Sequence, residues 1–333
     1  MKRKLLVTHS LHQQHFTLPF SKGAILISWD GLPQALSYYY DVSFVPIGEV
    51  TIEDVNKADI VFLWFDDIHN PNLDVWDWID DKVTMLSWQS QYHRDIDMYC
   101  PERQLIYDRL QKIDIILGVV TPNNHGHFFS RTDATVSNII NSIEFNTLYE
   151  LYKDIDTKSY PDNVGVMPHA IEPIEQGNWS EFLLSMKVIN SLGYKAGYQS
   201  RVYKDENIEF TSHLCSFGID CMHFSWFGIH EYIEHLSKCK IMFEYARYDT
   251  ISMAIVAALF GKLPAICSPG WYSQALFPDL VLREFDIEQI KSLNDKLQTG
   301  YRQEVIRKGY ELAMLLDHQT IGNQLSELIE MRF

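Results

Sequence analysis

Five consecutive residues between a predicted strand and a predicted helix could bind an anion: Tyr248, Asp249, Thr250, Ile251 and Ser252. Backbone N–H groups at the start of a helix lack partners within the helix, and the helix dipole adds partial positive charge there. A diphosphate can bind at such a position. The alternative is an ordinary capped helix start, since Asp and Ser are common N-cap residues.

A second group of residues could bind sugar rings. Residues 51–100 hold 11 acidic side chains, 3 basic ones and four of the eight tryptophans. The flat face of an indole can stack on the C–H face of a sugar, while carboxylates accept hydrogen bonds from its hydroxyls. Trp76 and Trp78 are therefore candidate sugar-binding residues, with core packing as the alternative. Trp64 and Trp88 lie within predicted strands, so we expect both in the core.

The scaffold for these residues is predicted from short β-rich runs that alternate with helical periodicities along the whole chain. This alternation is typical of α/β folds with parallel sheets. The predicted strands cover residues 5–8, 42–46, 60–64, 83–88, 115–120, 164–167, 195–200, 222–226, 240–245 and 263–267. The predicted helices cover residues 101–113, 135–152, 179–192, 230–238, 252–260, 286–297, 301–316 and 320–331.

The chain is long enough for two domains, because single cores stop growing near about 250–300 residues. A segment with Pro and Gly at residues 168–177 follows a predicted strand and precedes a capped helix, which makes it the predicted boundary. We therefore expect two doubly wound, Rossmann-like parallel-sheet domains, residues 1–168 and 169–333, with the last helix packing back on the first domain. Ligands of such folds bind outside the carboxyl ends of the strands, so the expected site is a cleft between the domains.

Charge and cysteine content argue against several other classes of protein. The chain has 28 Lys and Arg against 44 Asp and Glu, a formal net charge of −16, and it lacks the basic stripe that binds a phosphate backbone. A nucleic-acid partner is therefore not expected. Five scattered cysteines without a Cys-x-x-Cys pair argue against a disulfide framework and a zinc site. No apolar run approaches a membrane span or a signal peptide, so we expect a cytoplasmic protein without an integral membrane segment.

Motifs for other kinds of chemistry are absent from the sequence. There is no Gly-x-Gly-x-x-Gly after the first strand, no Walker loop and no His-Glu-x-x-His. Two Asp-x-Asp triplets, at residues 95–97 and 154–156, are expected by chance in an acidic chain. No metal site is predicted.

One block of the sequence resembles a known family. It contains Phe227-Gly-Ile-His-Glu231, Phe243-Glu-Tyr-Ala-Arg-Tyr-Asp249 and Ala257-Ala-Leu-Phe-Gly261. In residues and order, the block is similar to the donor-binding half of GT-B glycosyltransferases, nearest to the retaining, nucleotide-sugar-dependent group of family 4. The resemblance implies two Rossmann-like domains facing a cleft. It also implies donor-binding roles for Phe227, Gly228, Glu244, Tyr245 and the five residues from Tyr248 to Ser252.

The chain departs from this family at two positions. The family's pair of glutamates, eight residues apart, would fall on Tyr248 and Val256, and neither residue is acidic. Asp249 could replace the first glutamate with a shift of one residue. The second glutamate, which holds the nucleotide ribose in the family, has no carboxylate substitute in either register. Glu244, at the end of its predicted strand, is the candidate for that role.

The resemblance implies two further phosphate contacts. Arg201 and Lys204 are the nearest equivalents of the Arg and Lys that neutralise the leaving diphosphate, and an exposed edge is the alternative. Ser21, Lys22 and Gly23 lie in a segment similar to the family's small-residue loop. Gly23 would allow close backbone approach to a ligand, and Lys22 could contact a phosphate, with a simple turn as the alternative.

By the same resemblance, the acceptor binds to the first domain, so Trp76 and Trp78 are candidate acceptor-binding residues. A neutral imidazole of that domain could take a proton near pH 7. His93 is the candidate catalytic base. His9, His12 and Asp95 are candidate acceptor-binding residues and second choices as the base. A retaining enzyme of this group needs no protein base, since its leaving phosphate is thought to assist the acceptor.

The resulting hypothesis is a metal-independent glycosyltransferase without a cofactor. Its co-substrate is a nucleotide-diphosphate sugar, and its acceptor is a glycan or a small molecule. Three alternatives remain: a DNA-base glycosyltransferase of viral type, a GT-B-like sugar- or nucleotide-binding protein without turnover, and a nucleotide-sugar epimerase of the same architecture. The acidic charge argues against the first alternative, and Val256 motivates the second.

Overall fold

The computed structural model describes residues 2–9, 31–64, 68, 72–88, 103–118, 132–139, 142–170, 179–199, 204–224, 229–245 and 253–333. Strands and helices alternate through these residues, as the sequence predicts for an α/β fold. The strands are β1 Lys4–His9, β2 Asp41–Pro46, β3 Ile60–Trp64, β4 Val83–Ser87, β5 Ile115–Leu117, β6 Thr135–Ser137, β7 Val164–Ala170, β8 Lys195–Gln199, β9 Cys221–Phe224, β10 Ile241–Glu244 and β11 Ala265–Cys267.

The described α-helices cover the faces of two sheets. They are α1 Gly31–Ser37, α2 Ile52–Lys57, α3 Arg103–Leu110, α4 Phe145–Tyr152, α5 Trp179–Ser191, α6 Lys204–Ser216, α7 Ile229–Ser237, α8 Met253–Phe260, α9 Trp271–Leu276, α10 Ile287–Leu297, α11 Tyr301–Ala313 and α12 His318–Glu330. Short 3₁₀ helices occur at Ile47–Glu49, Asp74–Asp77, Pro278–Leu280 and Met314–Leu316. Among the helices described here, none combines the length and apolar character that a membrane crossing requires.

The chain forms two compact units, and each has its own sheet. Unit 1 comprises Met1–Glu144 and Leu315–Phe333, and unit 2 comprises Phe145–Met314. The boundary predicted at residue 168 falls instead within β7, the middle strand of the second sheet. Unit 2 begins earlier because α4 packs into it: the rings of Phe145 and Phe260 lie 6.0 Å apart, and those of Tyr149 and Tyr310 lie 5.4 Å apart.

The sheet of unit 1 is parallel, in the order β2-β1-β3-β4-β5-β6. Its central strands are apolar on both faces, because helices cover both sides of a buried parallel sheet. Leu5 and Val7 point to the core beneath α1 and α12, whereas Leu6 points to the opposite core with Trp88. This alternation follows from the period of two along a strand.

Helix α12 ends the chain and packs on α1 within unit 1. Its apolar side chains Ile321, Leu325 and Ile329 join the same core as Leu32 and Leu36 of α1. Asp317 caps its first turn by accepting a hydrogen bond from the Gln319 backbone N–H at 3.0 Å.

The sheet of unit 2 is also parallel, in the order β11-β10-β7-β8-β9. Arg302 of α11 binds the segments that lead into two strands of this sheet. Its guanidinium donates hydrogen bonds to the carbonyls of Lys240 at 2.9 Å and Lys262 at 3.0 Å. Lys240 precedes β10, and Lys262 stands between α8 and β11.

The predicted element order differs from the structure in three respects: one predicted helix is too long, the short helices α1, α2 and α9 are absent from it, and so is α6. The sequence predicts one helix over residues 135–152, but Thr135–Ser137 forms the edge strand β6, and the helix begins only at Phe145. Thr135 pairs with Ile115, and its hydroxyl accepts a hydrogen bond from Arg332 at 2.6 Å, so tertiary contacts select the strand. Helix α6 is absent from the predicted elements, because its sequence is polar and gives little apolar periodicity.

Candidate functional site

Each sheet has a point where the strand order reverses, and parallel α/β folds bind ligands at the carboxyl ends of the strands there. In unit 2, β8 lies on one side of β7 and β10 on the other, so the reversal lies between β7 and β10. In unit 1, the reversal lies between β1 and β3. The strands beside these two points end at Ala170, Glu244, His9 and Trp64.

Four of the predicted site residues lie at or next to the end of a strand or the start of a helix. His9 is the last residue of β1, Glu244 is the last residue of β10, Tyr245 follows it, and Lys204 begins α6. The remaining predicted residues, apart from Trp76 and Trp78, lie outside the described residues. They are Ser21, Lys22, Gly23, His12, His93, Asp95, Arg201, Phe227, Gly228, Tyr248, Asp249, Thr250, Ile251 and Ser252.

Glu244 is a buried carboxylate at the reversal point of unit 2. Its side chain is only 3% exposed, and its backbone carbonyl accepts a hydrogen bond from Ser268 N–H at 3.0 Å. Burial and the nearby Glu244 charge together raise the pKa of the Cys267 thiol well above its ordinary value, so Cys267 stays protonated. A carboxylate at this edge has the acceptor oxygens that a ribose diol needs.

Tyr245 continues the same edge. Its backbone N–H donates to the Ser185 hydroxyl of α5 at 3.2 Å, which ties the end of β10 to the helix after β7. Its ring meets that of Phe285 edge to face, with centroids 5.2 Å apart, and Phe285 is 39% exposed. Sequence reasoning missed Ser185 and Phe285, because neither belongs to a motif and only the fold brings them to Tyr245.

Val256 occupies a core position. It lies in α8, and its side chain is 0% exposed, between Ile255 and Ala257, which are also buried. The resemblance would place the ribose-binding glutamate here. The apolar surroundings of Val256 explain why this position carries no carboxylate, since an unpaired charge there would be strongly destabilising.

The four tryptophans of the acidic stretch lie largely in the core of unit 1. Trp64 and Trp88 are buried, as predicted. Trp76 is only 3% exposed, and the guanidinium of Arg109 lies 4.9 Å from the centre of its ring. Trp78 is partly buried and packs against the same core. These positions favour core packing over sugar stacking, most clearly for Trp76.

The described residues contain no group of three or more His, Cys, Asp or Glu side chains that could hold a metal ion. Of the two Asp-x-Asp triplets, the one at Asp154 and Asp156 lies within the described part of the chain. There Asp156 accepts a hydrogen bond from Lys158 N–H at 3.1 Å, and its carbonyl accepts one from the Ser237 hydroxyl. These contacts are those of a structural turn.

No protein-family model matches the sequence, and a search of curated proteins gives no match. Solved structures do match along the whole chain. An alpha-glucosyltransferase in complex with UDP and a 13-mer DNA containing a central A:G mismatch is 10% identical, with a TM-score of 0.62 and 99% of each chain covered.

Two further structures match equally well. Sucrose-phosphate synthase from Thermosynechococcus elongatus is 9% identical, with a TM-score of 0.64 over 100% of this chain and 99% of that one. HepE from Anabaena, in complex with UDP and glucose, is 9% identical, with a TM-score of 0.61 over 99% and 100% of the two chains. Such low identities establish the fold alone. With its two parallel-sheet α/β units, the chain has the GT-B fold of these glycosyltransferases.

Proposed function

We propose that the chain is a glycosyltransferase that moves a sugar from a nucleotide-diphosphate sugar to a hydroxyl acceptor. The observation that carries the proposal is the likeness over both units to transferases that were solved with UDP bound. A fold can serve several functions, so the proposal also needs residues suited to the chemistry. Glu244 and Tyr245, at the reversal point of unit 2, supply that support.

Unit 2 is the proposed donor-binding unit. The Glu244 carboxylate would accept hydrogen bonds from the ribose hydroxyls. The segment from Tyr248 to Ser252 would offer backbone N–H groups to the diphosphate, because it connects the carboxyl end of β10 to the start of α8. Arg201 and Lys204, which follow β8, would neutralise the departing diphosphate.

Unit 1 is the proposed acceptor-binding unit. His9 ends β1 at the reversal point of the first sheet, and His12 follows it in the sequence. We propose His93 as the base, with a retaining, family-4-like, hexosyl-transferring and metal-independent reaction. The five scattered cysteines support a reducing compartment, and we propose the cytoplasm.

Calorimetric titration of the full chain with UDP-, GDP-, ADP- and dTDP-glucose tests the donor proposal. We expect one nucleotide to bind, and Glu244→Gln to weaken it by roughly 10- to 150-fold, the equivalent of about 1.5–3 kcal/mol for hydrogen bonds to a charged group. Glu288→Gln is the matched control, because Glu288 is an exposed glutamate of the same unit, paired only at the surface with Lys291. The nucleotide affinity of Glu288→Gln should equal that of the unmodified chain.

Two results of these titrations, and one of a turnover assay, would count against the proposal or a part of it. Absence of binding to all four nucleotides would refute the donor function itself. Unchanged affinity in Glu244→Gln would remove only the ribose role of Glu244. Donor turnover that is lost in EDTA and restored by a divalent cation would refute metal independence.

Transfer to a base in DNA is the second candidate, and the DNA-bound alpha-glucosyltransferase favours it. The net charge of −16 opposes it, because binding to a phosphate backbone relies on basic side chains. Titration with duplex DNA at about 50 and about 200 mM salt separates the two acceptor classes. Tight binding that weakens steeply with salt would support a DNA acceptor, and failure to bind at low salt would support a sugar or a small molecule.

A further inference from the structure

Two cysteines of unit 2 meet where α6 leads into β9. Cys215 lies in the last turn of α6, and Cys221 is the first residue of β9. The side chains of the two cysteines are hydrogen-bonded to each other. A disulfide forms without backbone movement only between cysteines whose side chains already point toward each other, and this pair meets that condition.

The turn between the two cysteines brings them together. Gly218 has a backbone angle φ of +73°, the left-handed conformation with which glycine commonly ends a helix. Its N–H donates to the carbonyl of Cys215 at 2.9 Å. The next N–H, of Ile219, donates to the carbonyl of Leu214 at 3.3 Å. These two bonds close the end of α6 and return the chain toward the sulfur of Cys215.

The backbone just before Cys221 is held on both sides. Asp220 N–H donates to the side-chain oxygen of Asn190 in α5 at 2.9 Å. The Asp220 carbonyl accepts hydrogen bonds from the Asn190 amide at 2.7 Å and from Ala196 N–H of β8 at 2.9 Å. Cys221 then pairs with Ala196 across the sheet. The contact between the two thiols therefore belongs to the fold of unit 2.

The two sulfurs differ in their access to solvent. Among the cysteines that the structure describes, Cys215 is exposed, whereas Cys221, Cys239 and Cys267 are buried. Burial, the neighbouring Cys215 and the Asp220 charge together raise the pKa of the Cys221 thiol to about 12. Cys221 therefore keeps its proton in the reduced pair, and Cys215 is the sulfur that a reagent in solution meets first.

We propose that Cys215 and Cys221 form a reversible redox site whose oxidant is a small disulfide of the glutathione type. The Cys215 thiolate attacks one sulfur of glutathione disulfide, and the first glutathione leaves as a thiolate. The Cys221 thiolate then attacks the Cys215 sulfur and releases the second glutathione. The two protons of the cysteines end on the two released glutathione thiols. Two electrons pass from the cysteine pair to the glutathione disulfide, so the exchange balances.

The first step assists the second. Once Cys215 is joined to glutathione it carries no charge, so its share in raising the pKa of Cys221 disappears. Lys195 also favours the Cys221 thiolate by its positive charge. The resulting bond joins the last turn of α6 to the edge strand β9. Exposed, reversible disulfides of this kind are the ones that sense redox conditions in reducing compartments.

Peptide mass spectrometry tests the site after incubation of the full chain with glutathione disulfide, an acid quench and alkylation of the remaining thiols in denaturant. Chymotryptic cleavage after Phe217 separates the two cysteines, so a disulfide alone keeps their peptides together. With reduced glutathione at about 0.1 mM, thiols whose effective concentration is about 1 mM or more favour the intrachain bond. That bond should be at least about tenfold more abundant than the mixed disulfide at Cys215, and dithiothreitol should reverse it.

Three variants sharpen the test. Cys221→Ser should stop at the mixed disulfide between Cys215 and glutathione, because no second thiol is in contact. Cys239→Ala is the matched control: it replaces another buried cysteine of unit 2 and should leave the intrachain bond unchanged. Cys215→Ser alters an exposed residue, which keeps the proposal testable even if Cys221→Ser does not fold. In Cys215→Ser, Cys221 should remain free of glutathione.

Four results would overturn the proposal. Cys215 in the unmodified chain could fail to react, or it could accumulate as the mixed disulfide to the same extent as in Cys221→Ser. Cys215 could instead pair with a different cysteine or with a second chain. Attachment of glutathione to Cys221 in Cys215→Ser would show that the buried sulfur reacts without its exposed neighbour.

Discussion

Helix α12 approaches the backbone of α1 closely at Gly322. A Cβ atom at this position would lie 2.4 Å from the carbonyl oxygen of Ala35 and 2.9 Å from the ring of Tyr39. Ordinary contacts begin near 3.4 Å, and the closer neighbour is backbone that no rotamer change can move. Gly322→Ala therefore requires the two helices to separate by about 1 Å.

The expected cost follows from two opposing effects. Overpacking of a buried interface costs about 1–3 kcal/mol or more, whereas replacing Gly by Ala within a helix gains about 1 kcal/mol of helix propensity. Separation of the helices also loosens the contacts of Ile321 and Leu325 with α1. Because the overlap with the Ala35 carbonyl is severe, we expect an overpacking cost of about 2–3 kcal/mol, so Gly322→Ala should lower the free energy of unfolding of unit 1 by about 1–2 kcal/mol.

Urea denaturation followed by tryptophan fluorescence measures this change, since Trp64, Trp76 and Trp88 report from the core of unit 1. Gly48→Ala is the matched control: no described atom lies within 4 Å of the position that its methyl group would take, so its free energy of unfolding should change by less than about 0.5 kcal/mol. Stability of Gly322→Ala equal to or above that of the unmodified chain would refute the close packing of α12 on α1.

Two further substitutions test unit 2. Arg302→Lys should lower its free energy of unfolding by about 1–3 kcal/mol, because one ammonium cannot reach the carbonyls of both Lys240 and Lys262. Urea denaturation compares it with Arg307→Lys at an exposed position, which should be neutral. Val256→Glu should destabilise unit 2 by about 3 kcal/mol or more without improving nucleotide affinity, because the new carboxylate enters the core. A folded variant with tighter nucleotide binding would show that this position faces a ligand.

The central strands could be predicted because the apolar run that forms each of them is visible in the sequence itself. Ile60–Trp64 is apolar throughout, as a strand buried on both faces of a parallel sheet must be, and its predicted bounds are confirmed. Edge elements carry weaker local signals. Thr135–Ser137 is a strand because it pairs with β5 and contacts Arg332, which lies near the far end of the chain.

The residues of the candidate site also differ in how far the sequence alone predicts their positions. The sequence predicts Glu244 and His9 at strand ends, because such ends follow from the strand pattern and parallel topology directs them to one edge. The burial of Trp76 could not be predicted. It depends on Arg109, which lies over its ring, and on Lys112, which donates to its carbonyl at 2.6 Å. Both partners come from around α3 rather than from the acidic stretch.

The burial of Val256 constrains how this chain could recognise a nucleotide. A ribose-binding carboxylate at position 256 of α8 would lie in the core, where the cost of burying its charge exceeds the gain of two hydrogen bonds. Glu244 precedes that helix, at the carboxyl end of a strand beside the reversal point, where approaching hydroxyls could offset the burial of its charge. The carboxylate role would thus move from helix to strand within the same fold. Equal nucleotide affinity in Glu244→Gln and Glu288→Gln would exclude a ribose-binding role for Glu244.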